Sequence, residues 1–199
     1  ELLTFLNTSA PLQMIKRTYT IENRSCVYAQ KTFLNESYYV FTMHYKDNRE
    51  SRQVRLHATI GMATGAQGIF GASLTLHRNA EGLPSKDLQY ILLHWDHENR
   101  CAYLYAKNST DQVLCELYAW DQYANNALDK CQYYYEEFCG PLTTREQILY
   151  NNDCKTSTMP TISTMPTTPI TPTTPTTPTT TMTPTTPAMP TNVSTLSLR

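Results

Sequence analysis

Two sets of residues in this sequence carry chemistry: six cysteines and one acid placed among aromatic rings. Four of the cysteines, Cys101, Cys115, Cys131 and Cys139, fall within one stretch that also holds Glu116, Tyr118 and Trp120. In an extended strand alternate side chains share a face, so Leu114, Glu116, Tyr118 and Trp120 point one way and Val113, Cys115, Leu117 and Ala119 the other. A carboxylate ringed by aromatics can neutralise an ammonium group while the rings stack around it. The same burial is also satisfied internally, by an Arg or Lys or by tyrosine hydroxyls, because an unpaired buried charge is costly. Both readings of Glu116 stand. His94, Asp96 and His97 lie close together, but they straddle a strand end and a polar turn. A metal needs a convergent cage, so a solvated turn is the reading and no metal ligand is expected. No Cys-x-x-Cys occurs and the closest cysteines are eight residues apart, which also disfavours structural zinc. The run GMATGAQGIFG is not followed by helix-forming sequence, so it is no dinucleotide fingerprint. With no nucleophile elbow, phosphate loop or His-Glu-x-x-His motif, we expect a binding protein without a cofactor, not an enzyme.

The even cysteine count fits a disulfide framework and an oxidising compartment. Asn-x-Ser/Thr acceptors at Asn7, Asn23, Asn35, Asn108 and Asn192 point the same way, to a secreted, extracellular glycoprotein. The sequence starts at Glu1 in polar, domain-like residues, so it reads as a mature or truncated form whose signal peptide is gone. No run is long and apolar enough for a membrane helix. Composition changes sharply near Lys155. Residues 1–154 read as one domain, and 155–199 as a Thr/Pro-rich, mucin-like disordered tail. That tail is either an O-glycosylated stalk or a tolerated low-complexity extension. Of the 16 Lys and Arg, two (Lys155 and Arg199) lie in the tail; the remaining 14 against 17 acids give the domain a net charge of −3. With no basic stripe, nucleic acid is not an expected partner.

Short apolar or β-branched runs supply the frame. They cover Leu12–Ile21, Ser25–Leu34, Ser37–Tyr45, Gln53–Met62, Gly71–His77, Leu88–Trp95, Cys101–Lys107 and Val113–Trp120. Each is bounded by turn residues, and eight such strands predict an up-and-down barrel or a sandwich. On the third, Tyr39, Phe41, Met43 and Tyr45 share a face. The period then changes. Leu128, Cys131, Tyr135, Phe138 and Cys139 lie on one helical face, and Gly140-Pro141 stops the helix. Residues 1–11 read as a short helical turn ending at Pro11.

Several pieces in order carry a family resemblance: Lys16-Arg17-Thr18-Tyr19, then CVYAQKTFLNES from Cys26, HWDHENRC ending at Cys101, CELYAW from Cys115, Cys131, FCGP from Phe138, and Cys154. Over residues 1–154 the chain resembles the secreted tick salivary lipocalins that include the histamine-binding proteins. The resemblance implies a mainly β fold, an eight-stranded antiparallel lipocalin-type barrel with a C-terminal α-helix packed outside. Six cysteines allow 15 pairings; the resemblance implies Cys26–Cys154, Cys101–Cys131 and Cys115–Cys139. If Cys115 bonds the outer helix, its face is the outer one, and Glu116 points into the lumen. The expected ligand contacts are then Glu116, Tyr118, Trp120, Tyr103, Tyr39 and Phe41. The implied function is sequestration of a small host mediator, a biogenic amine such as histamine or serotonin, against host inflammatory and haemostatic defence. The family's amine signature places Asp and an aliphatic residue after the first cysteine, where this chain has Ala102 and Tyr103. Members without that signature bind lipid mediators such as leukotrienes, or host proteins such as complement components with the barrel as scaffold. Both remain open as partners.

Overall fold

The computed structural model describes residues 1–65, 68–77, 87–107, 113–140 and 145–157. Asn108, Asn192, the whole of the expected turn 79–85 and the expected tail beyond residue 157 lie outside them. Alternating apolar side chains build one sheet that closes on itself. Its strands are β1 (Leu12–Arg17), β2 (Arg24–Leu34), β3 (Tyr38–Asp47), β4 (Glu50–Thr64), β5 (Phe70–His77), β6 (Leu88–Asp96), β7 (Cys101–Lys107) and β8 (Val113–Trp120). Each pairs antiparallel with the next, and β1 pairs with both β8 and β2, so the barrel leaves no open edge. A two-residue strand, β9 (Gln147–Ile148), docks on β1. Eight strands leave an interior just wide enough for side chains or one small ligand.

β7 and β8 match the expected bounds, β2, β3, β5 and β6 differ by one or two residues at an end, and two strands depart further. β1 stops at Arg17, not Ile21, because Tyr19 leaves the ladder while Thr18 still exchanges hydrogen bonds with Cys115 at 3.0 Å. β4 runs from Glu50 to Thr64, since the expected charged turn shrinks to Asn48-Arg49, both left-handed with φ of 49° and 71°. Two left-handed central residues are what a two-residue hairpin needs to match strand twist.

The inward face of the barrel forms one apolar core, including Leu12, Met14, Tyr39, Phe41, Leu56 and Leu104. A second core lies outside, between β1, β7 and β8 and the chain that follows β8. It holds Ile15, Tyr103, Leu117, Ala119, Tyr135 and the buried cysteines. The expected single helix is broken into a 3-10 turn (Asp121–Asn126), α2 (Ala127–Lys130) and α3 (Gln132–Phe138). The break falls at Cys131, whose φ of −107° and ψ of 1° leave the helical range. The predicted face survives the break: Cys131, Tyr135 and Cys139 are buried, while Glu136 and Glu137 face water. Three disulfides, Cys26–Cys154, Cys101–Cys131 and Cys115–Cys139, fasten this layer and the C-terminal return to the barrel. At the N-terminus α1 (Leu2–Leu6) buries Leu2, Phe5 and Leu6. Phe5 reaches the lumen and packs on Trp95 and Tyr118, with ring centroids at 5.4 and 6.4 Å.

Candidate functional site

The barrel encloses a cavity of about 380 Å³. Its wall is mostly aliphatic and aromatic, and among the described residues it carries one acid, Glu116, and two cations, Arg17 and Arg24.

Alternation along β8 aims Glu116 inward while Cys115 bonds Cys139 on the outer side. The carboxylate is 1% exposed. Its Oε1 accepts from the Tyr19 hydroxyl and, at 3.0 Å, from the Tyr90 hydroxyl. Its Oε2 accepts from the Tyr118 hydroxyl at 3.0 Å. Burial pushes the carboxyl above its ordinary range, and this outweighs the opposing pull of the three hydroxyls and of the Arg17 charge. Tyr19, Tyr90 and Tyr118 are held well above the usual phenol range, first by burial and then by the Glu116 charge.

Arg17 reaches the same space through an irregularity in β1. The β1–β8 register pairs Met14 with Tyr118 but Lys16 with Leu117 and Arg17 with Glu116, so Ile15 is a bulge. A bulge resets which side chains face in. Without it, alternation from Met14 would send Lys16 inward. With it, Lys16 faces the outer layer, its Nζ 3.1 Å from Glu146 and 4.1 Å from the centre of the Tyr135 ring. Arg17 turns into the lumen. Its Nε and Nη2 donate to Gln147 Oε1 at 3.0 and 2.6 Å, and Nε also to the Tyr19 carbonyl at 3.1 Å. Arg24 begins β2 and lies over the Tyr45 ring, 4.0 Å from its centre.

Gln147 ties these pieces together. Besides Arg17, its Oε1 accepts from the Ile21 amide at 3.2 Å, while its Nε2 donates to the Ile21 and Arg24 carbonyls at 3.1 and 3.2 Å. One side chain from the C-terminal return thus holds the β1–β2 connection, the Arg17 head group and the Arg24 backbone.

Of the expected contacts, Glu116, Tyr118, Tyr39 and Phe41 line the cavity together. Trp120 does not. It closes the far end, its Nε1 donating to the Phe5 carbonyl at 3.0 Å and its ring 5.9 Å from Trp95. Tyr103 is a correction. It lies outside the barrel, buried under the helical layer, and its hydroxyl donates to the Cys131 carbonyl at 2.9 Å. The sequence held the signal, since Tyr103 shares strand parity with Cys101, which bonds the outer layer. Tyr19, Tyr90, Arg17 and Arg24 were missed. Tyr90 shares a face with Leu88 and Leu92 and reads as core, and Arg17 needs the bulge.

His94 faces outward against Tyr134, ring centroids 4.4 Å apart. Asp96 caps its own turn, accepting from the amides of Glu98 and Asn99 at 3.0 and 2.9 Å. The two do not converge on a common point. Thr59 Oγ1, His77 and Asp87 form a hydroxyl–imidazole–carboxylate chain with both links at 3.0 Å. It sits on the sheet face between β4 and β5, where backbone N–H groups belong to the ladder rather than converging as oxyanion donors.

Residues 1–156 match the family model described as tick histamine binding protein. No curated protein matches the chain. Solved structures similar to it include Japanin from Rhipicephalus appendiculatus bound to cholesterol, at 13% identity and a TM-score of 0.47, covering 66% of this chain and 88% of that one. H1 crustacyanin from the lobster Homarus americanus aligns at 15% identity and a TM-score of 0.48, covering 76% of this chain and 82% of that one. Lobster apocrustacyanin A1 aligns at 14% identity and a TM-score of 0.45, covering 78% and 83%.

Proposed function

The chain belongs to the tick histamine-binding protein family, and from that premise we propose that it is a secreted carrier that sequesters an amphiphilic lipid mediator of the host in its barrel. The lining carries this reading. Its single acid already accepts three tyrosine hydroxyls, and most of the remaining wall is leucine, methionine, valine and aromatic ring. Such a wall gains by covering an apolar body, about 25 cal/mol for each Å² removed from water. Three disulfides support extracellular life, where the mediator would be met. Removing that mediator would blunt host inflammation and haemostasis.

Titration calorimetry with a fatty acid, a sterol, histamine and serotonin tests the reading. Saturable lipid binding near one per chain supports it; amine binding with no lipid binding overturns it. A second reading has its own observation. Glu116 sits inside a cluster of tyrosines, so an ammonium group displacing one hydroxyl would find an acid and aromatic faces together. Under that reading Glu116→Gln abolishes amine binding and leaves lipid binding nearly intact.

A further inference from the structure

Among the described residues that line the lumen, Arg24 is the cation with a buried donor left unpaired. Its Nε is buried with no partner, and its guanidinium makes no side-chain hydrogen bond to the described residues. Arg17, by contrast, has Nε and Nη2 committed to Gln147 and Tyr19. A buried guanidinium donor left unpaired costs more than most neutral groups, so it marks a place where a partner belongs. The Tyr45 ring lies beneath the Arg24 charge, its centre 4.0 Å from the guanidinium carbon, a cation–π contact. Gln147 fixes the Arg24 backbone and the Arg17 head with one amide, which brings both cations to the same end of the cavity. Glu116, the one acid among the described lining residues, is occupied by three hydroxyls, and Asp47, opposite Arg24 in the β2–β3 register, forms no ion pair with that arginine among the described residues.

Resting on the carrier reading above, we propose that Arg24 is the docking residue for the carboxylate of an anionic lipid, whose hydrocarbon chain runs down the barrel toward Phe5. Within the cavity lining, two cations against one hydrogen-bonded acid are complementary to a monoanion and unfavourable to an ammonium head group, with Asp47 opposite Arg24 in the ladder but not part of the lining. The planar guanidinium fork matches a carboxylate with two parallel hydrogen bonds, which an ammonium side chain cannot reproduce. The wall between Arg24 and Phe5, through Met43, Val54, Leu56 and Leu74, presents no further charge. A neutral lipid would fill the same apolar space but leave the Arg24 donors unpaired.

The test compares oleic acid with oleyl alcohol, which share a chain and differ in the head group, on the full chain and on Arg24→Gln and Arg24→Lys. Thermal unfolding confirms that each variant is folded. The native chain is expected to bind the acid on the order of tenfold more tightly than the alcohol, as a desolvated charge pair warrants. Arg24→Gln removes that preference while leaving alcohol affinity within about twofold, and Arg24→Lys recovers it only in part. Equal binding of acid and alcohol by the native chain, or a preference unchanged in Arg24→Gln, overturns the assignment and leaves the carrier reading standing. Binding of neither lipid overturns the assignment, and if the sterol of the calorimetric panel also fails to bind, the carrier reading falls with it.

Discussion

Arg17 and Glu116 stand directly opposite each other across the β1–β8 ladder, both buried, yet each takes its hydrogen bonds from other residues. Arg17 is tied to Gln147 and Glu116 to three tyrosines. The charges still act on each other, since Arg17 lowers the Glu116 titration that burial raises. The arrangement holds two opposite charges at one end of the lumen without a contact ion pair, which leaves that end able to exchange partners. It depends on the Ile15 bulge, which decides that Arg17 and not Lys16 faces inward.

Gln147 is the clasp of that end. Gln147→Ala removes the acceptor of Arg17 and the two bonds that hold the Ile21 and Arg24 carbonyls. Leaving a buried guanidinium short of its acceptor costs about 1–3 kcal/mol. We expect a stability loss of that size by urea denaturation, together with faster hydrogen exchange at the Ile21 amide, which now bonds Gln147 Oε1. Unchanged exchange there would mean the loop is held by something else.

The disulfides should differ in worth. Cys26–Cys154 spans 128 residues and Cys115–Cys139 spans 24. In the chain-entropy account a longer loop constrains the unfolded state more, about 4–5 kcal/mol against about 3 kcal/mol. Paired alanine variants are expected to lose stability in that order, read from denaturation midpoints. The reverse order would show that native packing in the outer layer, not loop length, sets the value.

Strict two-residue alternation made β7 and β8 legible in the sequence to the residue, and, with the Cys115 bond to an outer helix that the family resemblance implied, it aimed Glu116 and Tyr118 inward. The same parity, applied to Cys101, would have placed Tyr103 outside. Arg17 was beyond such reasoning, because a bulge leaves no mark in composition and inverts every side chain after it. Tyr19 reaches Glu116 from a segment that has left the strand, so no periodicity points to it. The helix showed its buried face but not its break, since 3.6-residue spacing persists through Cys131 even where the backbone leaves the helix.

Exposure supports glycan acceptance at three of the five predicted sites. Asn7, Asn23 and Asn35 are exposed. At Asn35 the Oδ1 accepts from the amides of Ser37 and Tyr38, at 2.9 and 2.7 Å. Expression in a secretory cell, followed by glycosidase treatment and peptide mass spectrometry, should show occupancy at these three. An unmodified Asn35 peptide would argue that its turn forms before the acceptor is met.

Arg49 carries a left-handed backbone at φ 71° with a side chain that gains nothing from it. Glycine adopts that conformation freely, while other residues pay about 1 kcal/mol or more. Arg49→Gly should therefore raise stability by roughly 0.5–1 kcal/mol, net of the extra freedom glycine gives the unfolded chain. The check is a higher melting temperature with the hairpin register unchanged. A lower one would mean the Arg49 side chain makes a compensating contact.

Glu116 predicts how stability depends on pH. Its carboxyl titrates above the ordinary value of 4.5, chiefly because burial disfavours the charged form. Between the two values the folded chain therefore binds more proton than the unfolded one. By linkage, stability falls as pH rises across that interval. The contribution is fully present below 4.5 and is lost as pH passes through the folded-state value. The three tyrosines act in the same direction at alkaline pH, since their hydroxyls must stay protonated to donate. Denaturation midpoints measured upward from pH 4.5 should decline, and Glu116→Gln should flatten the decline while keeping an acceptor for the hydroxyls. An anionic ligand at Arg24 would steepen it by favouring protonated Glu116. If the native chain and Glu116→Gln follow one curve, Glu116 is not the group that titrates.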